Sequence, residues 1–497
     1  MSEVWDILKV LAPQLVLVAS ALLLPALDYL VKDKRVLALT ALAPLVAVAI
    51  ALFGWTILGE WQPYASRIPL IEVDLFSGLF GLVFVCVGIV VVLASSEFIS
   101  KDRNQGEYYS LILLAITGMT LVAEAADLIV LFVGLEIAGI SSFALTGFRK
   151  SEARSSEAAT KYFIVGGFSS ALTLFAISLF YGAAGTTEIA ALGYQLDSAF
   201  TDYAGMDSLV LLATVLVLAG FGFKIAMVPF HMWAPDVYEG APTPVSGLLA
   251  AASKKMGFAA LFKVFLIGLI ATKADWDVMV AVLAILTMTV GNLIAVSQTS
   301  IKRMLAYSSI AQAGYILLVL PVGTEYAVAG GIFHVMTHAF MKSGAFMVVA
   351  AMGAVLVGER LDDFKGLSKR SPFLAFSMFI FLLSLAGIPP LAGFASKYML
   401  FSSAVYASAE PGMSWLIWLA VAGVLNSALS LYYYARVIKT MYMDKGVEAR
   451  VTVPPMMTAA IVFALVMTVL LGVWPDGVFQ VCLDAAHALF PGLPPGV

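Results

Sequence analysis

Two cysteines in 497 residues, Cys86 and Cys482, are too few to hold an iron–sulfur cluster or to build a disulfide framework. Charge is scarce as well: Asp, Glu, Lys and Arg make up 12% of the chain, about half their share in a soluble protein. The chain carries no Walker loop, no GxGxxG nucleotide fingerprint and no nucleophile elbow. Four histidines, His231, His334, His338 and His487, leave few ligands for a metal or a haem. No soluble catalytic domain fits, and nucleic acid is not an expected partner. The net charge of −4 decides little, because in such a chain the placement of charge matters more than its sum.

What is present is apolar: 61% of the residues are hydrophobic and the mean hydropathy is +0.98. A membrane-crossing helix needs about 20 apolar residues, so the supply suffices for roughly fourteen or fifteen crossings. Cut at charged or Gly/Pro-rich breaks, the runs lie near 7–31, 36–58, 75–98, 108–124, 127–148, 160–183, 207–229, 244–271, 277–299, 303–321, 326–357, 371–408, 413–441 and 453–474. Open strands cannot cross lipid with unpaired backbone groups, and these runs are too long for barrel strands. The fold class is therefore all-α, a polytopic bundle of about fourteen transmembrane helices. The first run follows Glu3 and Asp6 with no basic segment, which predicts a retained helix and not a cleaved signal.

The basic residues test this division independently, since they gather in cytoplasmic loops. Of 28 lysines and arginines, 19 fall in or beside loops after odd-numbered helices, and only Arg67 and Lys273 in loops after even-numbered ones. Both termini are thus expected on the outer face. Six lysines fall inside spans: Lys224, Lys254, Lys255, Lys263, Lys342 and Lys397. A charge at mid-bilayer costs about 2.5–3.5 kcal/mol on insertion scales, so such groups usually face a bundle interior or a hydrated path.

Glu136 lies nine residues after Asp127 and thirteen before Arg149, near the middle of helix 5. It reads as a proton-binding carboxylate or a partner for a buried lysine; a structural ion pair is the plainer alternative. Lys224 sits in helix 7 just before Pro229 and is the natural partner, unless it snorkels toward the interface. Lys254 is central in helix 8, and adjacent Lys255 points about 100° away, so one of the two is expected to line a path. Lys254 is the choice and Lys255 the alternative. In helix 11, His334, His338 and Lys342 recur every four residues, one titratable stripe suited to relaying protons. The HxxxH spacing also admits two metal ligands, but it lacks the zincin glutamate and an obvious third ligand, and no metal is expected. Two histidines on one helix face do not suit haem.

Lys397 follows the break Gly387-Ile388-Pro389-Pro390, where proline removes a backbone donor and clashes with the preceding turn. Irregular backbone at membrane depth survives only when shielded by protein or lining water. Pro229, Pro235, Pro242 and Pro244 interrupt the stretch between helices 7 and 8 in the same way. Two broken regions, each near an intramembrane lysine, predict two inverted five-helix repeats with broken helices 7 and 12. The expected organisation is helices 1–3 (1–107), a first repeat of helices 4–8 (108–271), a second of helices 9–13 (277–441), and helix 14 with a tail (442–497).

Specific strings then carry a resemblance. PFHMWAPDVYEGAPTPVSGLLAAASKKMGF (229–258) resembles the helix 7–8 signature of the antiporter-like membrane subunits of respiratory complex I, the NADH–quinone oxidoreductase, in the form of subunit N. SSEAATKYFIVGGFSSALTLFAISLFYGAAGTTE (155–188), RMLAYSSIAQAGY (303–315) and GIPPLAGFASKYMLF (387–401) are similar to the same family in order and spacing. HVMTHAFMKSGAF is closer to the sister subunits L and M and to cation/proton antiporter subunits. An archaeal deazaflavin-linked relative of complex I would look much the same.

The resemblance implies a proton-translocating subunit with no redox centre of its own, in the plasma (inner) membrane. Other membrane subunits of the complex would be among its partners, and flavin, iron–sulfur clusters and the quinone or phenazine are expected in partner subunits and not in this chain. It places Glu136, Lys224, Lys254 and Lys397 at the family's ionisable positions in helices 5, 7, 8 and 12. Protons would pass from the cytoplasm through Glu136, Lys224, Lys254 and the His334/His338 region and leave near Lys397. The alternative functions are a subunit of a multisubunit sodium/proton antiporter, a membrane redox enzyme with its own haem or copper, and a scaffold.

Overall fold

The structure, a computed structural model, describes residues 7–31, 33–59, 66–68, 70–202, 206–354, 358–446 and 450–490. The apolar runs fold as helices because only a helix closes its backbone hydrogen bonds within one segment. The first seven are α1 (Ala12–Leu30), α2 (Arg35–Thr56), α3 (Leu75–Phe98), α4 (Gln105–Glu124), α5 (Leu128–Thr146), α6 (Ala153–Ala184) and α7 (Met206–Ile225). A helix carrying a π turn follows as α8a (Thr243–Leu248) and α8b (Lys254–Lys263), then α9 (Lys273–Ser297), α10 (Ile301–Leu317) and α11 (Glu325–Ala354). An interrupted helix, α12a (Pro372–Ala386) and α12b (Ala392–Ala407), precedes α13 (Ile417–Tyr442) and α14 (Pro455–Val473). Among the described residues, twelve helices are long and apolar enough to cross a membrane. A total of fourteen requires helices 8 and 12 each to count as one further crossing.

Several boundaries differ from the sequence expectation. Helix α7 stops at Ile225 and not at 229, because Ala226 takes a left-handed φ of 55°, which a side chain disfavours. A short helix, Trp233–Gly240, fills part of the stretch before α8a. Helix 8 is not one continuous α-helix: π turns at Leu249–Ser253 and Val264–Gly268 flank α8b. Run 371–408 divides where expected, with Gly387 at φ 89° ending α12a. Two helices were not foreseen, Ile189–Asp202 between α6 and α7, and Pro475–Leu489 in what read as a tail. A small antiparallel hairpin, β1 (Ser66–Ile68) with β2 (Ile71–Val73), lies before α3.

Tight crossings rest on glycine. A Cβ on Gly118 of α4 would stand 2.5 Å from the Ala138 nitrogen of α5, and one on Gly291 of α9 would stand 2.6 Å from the Ala311 nitrogen of α10. In lipid, where apolar surface is not driven together, such close backbone approach supplies much of the helix–helix attraction. Helix α11 is the hub: α3, α8a, α10, both halves of helix 12, α14 and Pro475–Leu489 all pack on it. Every residue of α11 from 327 to 352 is buried, so any polar group it carries is held inside protein.

Candidate functional site: a buried line of ionisable groups

Helix α5 carries the first groups. Lys224, at the end of α7, reaches across to α5, its Nζ 3.5 Å from the Leu135 carbonyl oxygen. Gly139 makes the room: a Cβ there would come within 2.9 Å of the Lys224 ammonium nitrogen. The Phe143 and Phe223 rings lie 5.9 Å from the same nitrogen, close enough for cation–π attraction. Lys224 is buried, and this overturns the snorkelling alternative.

Glu136 stands differently from the expectation. Its carboxylate accepts a 2.6 Å hydrogen bond from Ser170 of α6, and among the described residues no ion pair joins it to Lys224. The side chain is half-buried and shares its helix face with exposed Ile129, Val133 and Ile140. Hydropathy fixes depth along a helix but says nothing of rotation about its axis. The charge of Glu136 still acts on Lys224, one turn of α5 separating Gly139 from the glutamate.

Lys254 and Lys255, of which one was expected to line a path, both turn inward. Both are buried, at 1% and 0% exposure, because α8b is surrounded on all sides. Lys254 directly follows the π turn 249–253, an irregularity that recurs at functional sites. Its ammonium lies 5.7 Å from the centre of the Tyr238 ring. Neither ammonium has a hydrogen-bond partner in the protein among the described residues, and neither does either ring nitrogen of His338. Leaving a buried charged group unpaired costs several kcal/mol, so these groups need water or a change of protonation state.

The second half is more fully connected. The rings of His334 and His338 lie 5.9 Å apart along α11. His334 Nδ1 is 2.9 Å from Ser396 Oγ, and its Nε2 is 3.1 Å from Gln312 Oε1. Gln312 Nε2 in turn donates to the Leu385 carbonyl at 3.1 Å. Lys397 donates to that same carbonyl at 2.8 Å, to Ala386 at 3.3 Å and to Ser427 Oγ at 2.9 Å. Carbonyls at a helix C-terminus lack partners and carry partial negative charge, so the break at Gly387 creates the acceptor that the lysine fills. Lys342, the third member of the stripe, donates to Ser308 Oγ at 2.7 Å and to the Leu305 carbonyl at 3.2 Å. Ser308 is hydrogen-bonded to Tyr434, and the Tyr434 ring lies 4.4 Å from that of Tyr433, which donates to Asn292.

Gln312, Ser308, Ser396 and Tyr434 were missed by the sequence reading. A neutral polar residue in an apolar run barely changes its hydropathy, and the only available signal was that Ser308 and Gln312 are four apart on one helix. The breaks at Pro229, Pro389 and Pro390 fall in irregular backbone between α7 and Trp233 and between α12a and α12b.

Comparison with known proteins identifies the family. The family model of the NADH:quinone oxidoreductase/Mrp antiporter transmembrane region matches residues 125–430, more than half of the chain. The F(420)H(2) dehydrogenase subunit N of Methanosarcina mazei is 45% identical over 97% of this chain and 99% of its own length. The NADH-quinone oxidoreductase subunit N of Trichlorobacter lovleyi is 40% identical over 97% of each. A chain of respiratory complex I from Thermus thermophilus superimposes with a TM-score of 0.77 at 31% identity, covering 94% of this chain and 98% of that one. The chain is a multi-pass membrane protein of the NADH:quinone oxidoreductase/Mrp antiporter family, on the branch of the N subunits.

Proposed function

We propose that this chain is a proton-translocating membrane subunit of a complex I-type dehydrogenase, moving protons through its buried groups while electron transfer takes place in partner subunits. Flavin, iron–sulfur clusters and the quinone or phenazine site belong to those partners. The observation that carries the reading is the unbroken set of contacts from His334 through Gln312 and the Leu385 carbonyl to Lys397, with unpartnered Lys254, Lys255 and His338 beside it. Such groups gain partners when water enters, and a hydrated row of bases and ammonium groups can pass protons from one member to the next.

In this reading the basic loops face the cytoplasm of the cell and both termini lie outside. A proton reaches the Glu136–Lys224 region, passes Lys254 and Lys255, enters the His338–His334–Lys342 stripe and leaves by Lys397. Each group holds a proton that its neighbours' charges bias, so a field arriving from the redox subunits shifts occupancy along the row. Fourteen crossings in two inverted halves, helices 4–8 and 9–13, suit this arrangement. Both α4–α5 and α9–α10 cross on glycine, and each half has a helix break beside a buried lysine, at Ala226 just after Lys224 and at Gly387 beside Lys397.

The names of the relatives favour a redox-linked subunit over a sodium/proton antiporter. The test is proton uptake by the purified complex in vesicles during redox turnover. Uptake that needs no sodium and is lost in Lys397→Ala supports the reading; sodium-dependent exchange without a redox substrate supports the antiporter.

A further inference from the structure

Lys263, one of the six lysines inside the spans, takes no part in the row described above. It ends α8b, nine residues past Lys254, which is roughly 13 Å along a helix. It is 3% exposed, and its ammonium donates to the Ala125 carbonyl at 3.0 Å. The residue before Ala125 is Glu124, the last of α4 and only 7% exposed. The charges of Asp74, Glu72 and Glu124 all act on Lys263. These groups lie at the end of the bundle away from the basic loops. The second π turn, Val264–Gly268, begins at the residue after Lys263.

Gln14 of α1 makes this more than a buried ion cluster. Its Nε2 lies 2.8 and 2.7 Å from the two carboxylate oxygens of Glu124, yet its own Oε1, on a side chain 6% exposed, has no partner. An amide can present either face. Its N–H serves an ionised carboxylate, and after rotation its oxygen accepts from a protonated one. Gln14 can therefore satisfy Glu124 in both protonation states, which a permanently ionised structural carboxylate would not require. A cavity of about 240 Å³ between α1 and α2, walled by Val16, Val48, Leu52 and Trp55 with Lys9 beside them, reaches Glu124.

We propose that Lys263, Glu124 and Gln14 form a second proton-release site, serving the first half of the molecule independently of Lys397. The Lys263 ammonium, held on the carbonyl of Ala125 next to Glu124, passes its proton through a bridging water to the Glu124 carboxylate, leaving a neutral amine and a carboxylic acid. The acid is held by Gln14 Oε1 until its proton passes to water through the cavity, restoring the carboxylate; Lys263 is recharged from the Lys254 side. This rests on the translocation reading above.

The test is protons moved per electron by the native complex in vesicles, followed with a trapped pH-sensitive dye while the complex turns over with its own donor and acceptor. Glu124→Gln and Lys263→Met should lower the ratio with electron transfer and subunit content unchanged, Glu124→Asp and Lys263→Arg should restore it, and Gln14→Leu should slow proton release several-fold. A full ratio in both Glu124→Gln and Lys263→Met overturns the release site. Lys224→Met and Glu136→Gln, measured alongside, separate the two ideas: a full ratio in both of these would sink translocation through this chain, whereas loss in these variants with a full ratio in Glu124→Gln and Lys263→Met would sink only the release site. If the charge-removing variants fail to assemble, Gln14→Leu decides, and normal release kinetics in it overturn the proposal.

Discussion

Lys397 and Gln312 donate to one and the same carbonyl, that of Leu385 at the broken end of α12a, at 2.8 and 3.1 Å. Because Gln312 also pairs with His334 at 3.1 Å, the break joins α11 to α12b through a single acceptor. The interruption of helix 12 thus supplies the acceptor on which Gln312 and Lys397 meet.

Replacing Gln312 by Leu removes both hydrogen bonds and leaves His334 Nε2 unpartnered in a buried site. Each lost bond to a buried partner costs about 1–3 kcal/mol. Proton pumping by the assembled complex should fall at least tenfold, with Gln312→Asn intermediate and the redox rate of the uncoupled complex unchanged. Dye-monitored pumping in vesicles measures this, and equal rates in Gln312→Leu and the parent would show that the bridge is not used.

Gly139 leaves room for the Lys224 ammonium, and Gly182 has nothing within 4 Å of where its Cβ would stand. Gly139→Ala should displace the ammonium from its place on α5 and lower pumping several-fold. Gly182→Ala, an equal change in open space, should leave pumping unaltered. The contrast between these two single-methyl substitutions is the readout.

Gly118 packs so closely on α5 that any side chain must push α4 away. Gly118→Leu should lower the unfolding temperature of the detergent-purified complex by several degrees, or prevent its assembly, since overpacking costs typically 1–3 kcal/mol or more. Thermal unfolding with subunit content as a control checks this.

Lys302, buried near the start of α10, donates to the Ala241 carbonyl at 2.8 Å and to Thr243 Oγ1 at 3.2 Å, and lies 3.5 Å from Glu359. It therefore holds the start of α8a against the segment joining α11 to α12a. Lys302→Met leaves Glu359 and the Ala241 carbonyl without this partner. It should destabilise the complex, whereas Glu359→Gln, which is partly exposed, should cost less. Ranking the two variants by unfolding temperature tests the assignment.

Much of this was readable before the fold was known, and the limits have physical causes. A lysine in an apolar run is conspicuous because its burial costs energy, so Lys224, Lys254, Lys342 and Lys397 stood out by depth alone. The histidine stripe on α11 follows from a four-residue spacing. Rotation about a helix axis is another matter. In runs apolar on every side, no stripe tells which face turns inward, so the half-exposed setting of Glu136 and the burial of both Lys254 and Lys255 had to come from packing. The π turns of helix 8 depend on which carbonyl each amide selects under tertiary constraint, and composition does not encode that choice. Glu124 was passed over because it closes a span, where carboxylates are ordinary; only Gln14 and Lys263, far away in sequence, make it unusual.

The most direct measurement is the number of protons moved per electron by the assembled complex carrying Lys224→Met or Glu136→Gln. Translocation through this chain predicts a reduced ratio in each variant, with electron transfer and subunit composition preserved. An unchanged ratio in both would contradict it and leave the buried charges with a role in packing alone.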